Sequence, residues 1–281
     1  MPKARKYLLP AGILASLAVI LMAYGSVRAR LKFDRVKSLQ VLSAPGISRL
    51  QVKILSSYAH DRRAFTEGLA WHGNFLYEST GIRGKSAMRN VHLPTGKAIK
   101  TFRIPKHLFA EGITLFQGKI YQLTWKSHKC LVYDMATLRK TGELPYTGEG
   151  WGLTHDGETL IMSDGTSRLR FVDPATFKTA RVLSVSLNGA PLGGLNELEY
   201  VNGMIYANIY FTNTIVRIDV ASGRVTGLVD LRPLYKKMSP GAFHGIGVPN
   251  GIAYDPVKRH FYLTGKFWPR LFEVVFAPQN K

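Results

Sequence analysis

Two glutamates sit where a carboxylate is costly. Glu67 lies in the run Phe65-Thr-Glu-Gly-Leu69 and Glu111 in Phe109-Ala-Glu-Gly-Ile113, both largely apolar. A carboxyl in such surroundings needs a partner or a task, because burial penalises its charge. Carboxyls perturbed in this way gather at functional sites. Lys266, between Gly265 and Phe267, is a lysine in an equally apolar setting. Trp125, Trp151 and Tyr210 add large aromatics, and Asn196 and Asn250 add amides. Carboxyls, amides, aromatics and one ammonium are the parts of a pocket that holds a small polar group between apolar walls. Each has a plain structural alternative. The aromatics can be core, and asparagines often bond turn backbone. What decides is whether the chain brings them together.

The spacing says that it does. Glu67-Gly68-Leu69, Glu111-Gly112-Ile113, Trp151-Gly152-Leu153, Asn196-Glu197-Leu198 and Asn250-Gly251-Ile252 each open a short apolar segment, at steps of 44, 40, 45 and 54 residues. That is the period of propeller blades. Further β-rich runs follow each tripeptide. Second strands are predicted at 75–79, 120–125, 160–163, 205–210 and 261–264, and third strands at 89–93, 131–135, 169–172, 215–220 and 271–275. Asp134, Asp173 and Asp219 end third strands and lead into turns toward a fourth, outer strand. The last repeat lacks its outer strand, and Leu50–Ser57 alternates as a strand would. It is expected to fill the gap and close the ring. The predicted fold is all-β, a five-bladed β-propeller over residues 50–281.

In that fold the innermost strands bring Glu67, Glu111, Trp151, Asn196 and Asn250 to one mouth. Thr80, Trp125, Asp164, Tyr210 and Lys266 stand at the matched offset on the second strands. The apolar residues of the tripeptides keep the repeats alike, while the first position differs from repeat to repeat and builds an asymmetric site. The long fourth step holds a predicted short helix near Pro233 and a loop, Ser239–Val248, read as a lid over one face.

The N-terminus follows a different rule. Lys3, Arg5 and Lys6 precede an uncharged apolar stretch, Tyr7 to Val27. Residues 1–29 read as a cleaved export signal or an uncleaved membrane anchor. Membrane attachment would run through residues 7–27. Residues 30–49 read as a linker, and the domain is expected outside the cytoplasm, periplasmic or secreted. The chain carries a formal net charge of +20, with nine basic residues before position 50 against one acid, Asp34. The remaining basic residues are dispersed and no zinc-finger or RNP-like spacing is present, so no nucleic-acid partner is expected. Cys130 is the lone cysteine, which rules out an intramolecular disulfide. Its strand-like setting marks a packed thiol.

Eight longer strings fall in one order: His60–Leu69, Leu76–Gly81, Phe109–Thr114, Glu149–Thr154, Leu195–Glu199, Tyr206–Ile209, Val248–Ile252 and Thr264–Pro269. Together they resemble the plant and bacterial glutaminyl-peptide cyclotransferases. The resemblance implies a five-bladed propeller without a catalytic metal or other cofactor. It implies an aminoacyltransferase that turns the N-terminal glutamine of peptides or proteins into pyroglutamate and releases ammonia. Glu111 then falls on the acid/base position, with Lys266, Asn196 and Trp151 beside it as catalytic positions. Phe65 and Phe109 fall on apolar walls, and Glu67, Trp125 and Tyr210 on substrate-binding positions. Two positions depart from the family's usual residues. Glu67 stands where glutamine is usual, and Tyr210 where tryptophan is frequent. A Glu67 close to Glu111 would raise one pKa of the pair.

The implied chemistry is within reach of these groups. The substrate's α-amine attacks its own side-chain amide carbon. One carboxyl can take the amine's proton and return a proton to the leaving ammonia. The indole N–H groups of Trp125 or Trp151, or Lys266, are candidate donors to the oxyanion. Aromatic walls would hold glutamine in its cyclising rotamer. A monomer is the expected state. Two other readings stay open from sequence: a non-catalytic propeller binding a peptide or envelope partner, and a metal-dependent lactonase-like site recruiting Glu67, Asn196, Asn250 and Asp164.

Overall fold

A computed structural model describes residues 41–238 and 246–278. The predicted signal or anchor, most of the linker and residues 239–245 of the predicted lid lie outside the described residues. Among the described residues no helix is long and apolar enough to cross a membrane.

The fold is all-β, built from antiparallel four-strand runs. Strand β1 (Ser48–Ala59) comes first. One sheet is β2 (Thr66–His72), β3 (Phe75–Thr80), β4 (Ala87–His92) and β5 (Lys97–Arg103). The next is β6 (Ala110–Phe116), β7 (Lys119–Thr124), β8 (Lys129–Asp134) and β9 (Lys140–Pro145). The third is β10 (Leu153–His155), β11 (Leu160–Met162), β12 (Arg168–Val172) and β13 (Thr179–Ser184). A small hairpin, β14 (Ser186–Leu187) with β15 (Ala190–Pro191), follows and was not predicted. Then come β16 (Leu195–Val201), β17 (Met204–Ile209), β18 (Thr214–Asp219), β19 (Val225–Asp230), helix α1 (Arg232–Tyr235), β20 (Pro249–Asp255), β21 (His260–Gly265) and β22 (Arg270–Pro278). These last seven strands and β1 form one eight-stranded sheet in the order β16-β17-β18-β19-β1-β22-β21-β20. It is two antiparallel runs joined where β1 pairs in parallel with β19 at Ser48–Leu50.

The predicted closing strand pairs as expected. β1 runs antiparallel to β22 from Leu50 opposite Pro278 to Ala59 opposite Arg270. The predicted aspartate turns also form: Asp134, Asp173 and Asp219 each accept the backbone N–H three residues on. Asn202 and Gly203 both take left-handed φ, 49° and 80°, the tight hairpin turn that matches strand twist.

The inner strands contact one another in ring order, β20-β2-β6-β10-β16 and back to β20. Apolar clusters fill the spaces between neighbouring sheets. Met88 and Tyr77 meet Ile120 and Leu131 in one, and Leu123 and Tyr121 meet Leu160 and Val172 in the next. Leu169 and Phe171 meet Ile205 and Val216, Ile215 and Val229 meet Leu263 and Phe272, and Tyr262 and Ala253 meet Leu69 and Leu76. Each sheet therefore buries both faces against its neighbours. At the axis the inner backbones leave no room for a side chain. A Cβ on Gly152 would stand 2.1 Å from the Asn196 carbonyl oxygen, and one on Gly112 2.6 Å from that of Trp151. Glu197 stands where the other four tripeptides carry this glycine. Its carboxyl accepts the Leu69 and Ile252 N–H groups at 3.1 and 2.8 Å, tying three inner strands together.

Candidate active site

The tripeptides owe their reach to an irregularity in the sheets. Register shifts interrupt β2–β3 between Thr66 and Gly68, β6–β7 between Ala110 and Ile113, β16–β17 between Leu195 and Leu198, and β20–β21 between Pro249 and Ile252. Bulges of this kind re-aim a side chain out of the ladder. In these four pairs the first tripeptide residue lies within the shift, whereas Trp151 stands just ahead of β10. Glu67, Glu111, Trp151 and Asn196 line one pocket of about 220 Å³, with Phe65, Phe109, Trp125, Tyr210 and Lys266. The structure thus brings together all nine residues that the family resemblance placed at the site. The volume is below the roughly 300–1,000 Å³ of ordinary small-molecule sites. That leaves room for a single amino-acid residue.

Three of the mouth positions named from sequence stand elsewhere. Asn250 lies behind the pocket, its amide donating to Glu67 Oε2 and the Thr66 carbonyl, both at 3.1 Å. Asp164 accepts from Thr166 in its own turn. Thr80 donates to the Ala87 carbonyl, and its repeat register was off by one. Trp125, Tyr210 and Lys266 donate their backbone N–H to the carbonyls of Phe109, Gly194 and Val248. The equivalent bond in the first sheet runs from Gly81 to Phe65, at 2.8 Å. That sheet therefore offers no side chain at the second position. The Phe109 ring takes the space: a Cβ on Gly81 would stand 2.5 Å from it.

Lys266 is the electrostatic hub. Its Nζ lies 2.7 Å from both carboxylate oxygens of Glu67, a pair nearly sealed from solvent. The same ammonium stands 4.3 Å above the Phe65 ring and 5.9 Å from that of Tyr210. Phe65 and Phe109 meet edge to face at 6.0 Å, Phe109 and Trp125 at 5.7 Å, and Trp151 and Tyr210 at 5.1 Å. Asn196 is buried, and its Oδ1 has no hydrogen-bond partner among the described residues. A buried acceptor left so is placed to receive an N–H from a guest.

The Glu67 and Glu111 carboxyls share a hydrogen bond. Burial raises the Glu111 pKa well above the ordinary carboxyl value, and repulsion from Glu67 raises it further, against the pull of Lys266. Burial raises Glu67 as well, opposed by Lys266 and by the hydrogen bond from Glu111. The pair is thus arranged with the proton on Glu111 and the charge on Glu67, facing Lys266.

Comparisons with known proteins agree with this site. Residues 22–276 match the glutamine cyclotransferase family. The chain belongs to that family. A curated glutaminyl-peptide cyclotransferase of Arabidopsis thaliana is 38% identical over 226 residues, spanning 80% of this chain and 71% of that protein. The crystal structure of Myxococcus xanthus glutaminyl cyclase superposes with a TM-score of 0.78 at 34% identity, covering 83% of this chain and 100% of that one.

Beside the cyclotransferase pocket one residue escaped the sequence reading. Both indole N–H groups, of Trp125 and Trp151, donate to Glu149 Oε2, at 2.7 and 2.9 Å. The indoles named as oxyanion donors are therefore already engaged. Burial would raise the Glu149 pKa, but the two indoles and Lys126 outweigh it and hold the group ionised. Glu149 locks the two rings from outside the pocket. The only hint in sequence was an acid two residues before Trp151. Among the described residues no three His, Cys, Asp or Glu side chains converge as a metal-ligand set.

Proposed function

We propose that the 220 Å³ pocket cyclises the N-terminal glutamine of peptides or proteins to pyroglutamate, with Glu111 as the proton carrier. The observation that carries this is the raised Glu111 carboxyl beside a charge-neutralised Glu67. A carboxyl tuned upward matches its proton affinity to work near neutral pH.

The substrate enters as the free amine while Glu111 holds a proton. The amine nitrogen attacks the side-chain amide carbon and a tetrahedral adduct forms, negative on oxygen and positive on the new ring nitrogen. Glu111 gives its proton to the amide nitrogen, and ammonia leaves as the oxyanion collapses. The carboxylate then takes a proton from the ring nitrogen, and the lactam and the starting enzyme result. Lys266 has three N–H donors. Two lie on Glu67, and the third serves the oxyanion, in place of the indoles. The buried Asn196 Oδ1 receives an N–H of the substrate. Phe65, Phe109, Trp125, Trp151 and Tyr210 hold the glutamine side chain folded, and that positioning supplies much of the rate.

The same reading takes the fold as a five-bladed propeller of residues 50–281. It is supported by the ring order of the inner strands and the clusters between sheets. It puts the domain outside the cytoplasm, on the strength of the basic and apolar segment before residue 29, and takes the chain as a monomer. The test is ammonia release from a Gln-initiated peptide. Glu111→Gln should reduce kcat by about 10²–10⁴-fold with the far-UV spectrum unchanged. A variant with wild-type kcat removes Glu111 from the mechanism.

A further inference from the structure

A second concavity, of about 1040 Å³, opens beside the pocket, between the end of β1 and the β2–β5 sheet. A single layer of residues separates the two. Gly81 lines the cleft and backs onto the pocket, where its added Cβ would stand 2.5 Å from Phe109 and 3.1 Å from Glu67 Cγ. Phe267 also lines the cleft and rests on the Phe65 ring, centroids 5.1 Å apart.

The cleft is strongly basic. Arg62, Arg63, Lys85, Arg89, Lys97 and Arg103 line it against one acid, Asp61. Asp61 is already paired, with Arg63 at 3.2 Å and Arg89 at 3.1 Å, and Arg89 also reaches Glu78 at 3.3 Å. Arg62, Lys85, Lys97 and Arg103 are exposed and have no ion-pair partner among the described residues. A basic chain will have basic surface anywhere. Ordinary solvated surface does not explain why unpaired cations line a concavity that adjoins the pocket. The pocket admits one residue, so the rest of a bound peptide must leave over its rim, and the cleft lies beside that rim.

We propose that this cleft receives the residues that follow the N-terminal glutamine, and that it selects substrates whose next few residues are acidic. The proposal rests on the cyclotransferase reading and names its substrate class. Carboxylate side chains would meet Arg62, Lys85 and Arg103, whose charge also draws acidic peptides to the site at low salt.

The experiment compares three Gln-initiated pentapeptides, with residues two to four acidic, their neutral amide isosteres, or lysine. The acidic peptide is expected to show about tenfold higher kcat/KM than the neutral one at low salt, expressed in KM and lost by 0.5 M salt. The triple variant Arg62→Glu/Lys85→Glu/Arg103→Glu should bring that ratio to one or below. Equal kcat/KM for acidic and neutral peptides, or a preference that survives the charge reversal, overturns the proposal. Fluorescence anisotropy with the same labelled peptides repeats the comparison without turnover, so a chain that releases no ammonia still decides it. Ammonia release from glutaminyl-glycine amide, too short to reach the cleft, reads the parent activity separately. If the reversal weakens binding only to vesicles of anionic phospholipid and leaves the peptide ratio intact, the cleft serves a membrane surface and the proposal falls.

Discussion

Glu199→Gln is expected to flatten the dependence of stability on pH. Glu199 sits two residues along β16 from Glu197, accepts the Tyr254 N–H at 2.8 Å and a weak bond from Thr154 at 3.4 Å, and has no ion-pair partner among the described residues. Burial therefore raises its pKa from the ordinary 4.5 to about 8. Well below pH 4.5 the carboxyl is protonated in both the folded and the unfolded chain, and its full contribution is present. As pH rises the unfolded chain ionises first, while the folded site keeps its proton, so stability falls until about pH 8 and then levels. Each pH unit over that interval costs about 1.4 kcal/mol, or about 5 kcal/mol in all. Protein surrounds the carboxyl, yet the residue keeps some solvent contact, so ~5 kcal/mol is a ceiling and about half of it a realistic loss. Against a total stability of roughly 5–15 kcal/mol that is easily measured. Glutamine keeps the acceptor for Tyr254 and offers Thr154 a donor, without the titration. Urea unfolding of both proteins at pH 5, 6, 7 and 8 reads the difference, in which all other groups cancel. The gap should widen with pH in favour of the variant. Parallel profiles across that range would show that Glu199 ionises freely, and the reasoning from burial would fail.

Other changes probe the pocket directly. Glu67→Gln removes a negative charge beside Glu111 and leaves Lys266 unpaired, both of which lower the Glu111 pKa. The limb of the pH–kcat profile that reports Glu111 should move to lower pH, and an unmoved limb would separate the two carboxyls. Lys266→Met strands a buried carboxylate and should cost about 3–5 kcal/mol of stability, most of it recovered in Glu67→Gln/Lys266→Met; equal losses in the single and double variants would refute that coupling. Gly81→Ala drives a methyl against Phe109 and should raise KM roughly tenfold with a loss of about 1–3 kcal/mol in stability, whereas an unchanged KM would mean that the ring is not a pocket wall.

The site was legible because the repeat that builds the fold also marks the site. Gly68, Gly112 and Gly152 meet neighbouring backbone at the axis, so the tripeptide had to recur, and at Glu67 and Glu111 the residue before the glycine is the one the bulge turns inward. Glu67 and Glu111 stood out because a carboxylate in apolar sequence is costly. The bulge itself was not legible, and with it went the count that put Thr80 in place of Gly81. The pairing of Glu67 with Lys266 joins residues 199 positions apart, and sequence distance carries no trace of it. Glu149 was passed over because its role lies in two indole N–H groups that only the fold brings to one oxygen. Asn250 was expected at the mouth, with a bond to backbone as its alternative; the alternative holds, through the Thr66 carbonyl, and the second partner, Glu67, was invisible for the same reason.

The β1–β22 pairing makes the first strand wait for the last one described. Leu50 has no antiparallel partner until Pro278 has been made. At roughly 5–20 residues per second, β1 waits on the order of 10–50 s for it. The sheets between can form as they emerge, but the seam cannot. The same holds for the clasp across it, where His60 at the end of β1 bonds the Trp268 carbonyl and Glu78. Glu67 and Lys266 stand on either side of that seam, so the central charge pair of the site is among the last contacts the chain completes.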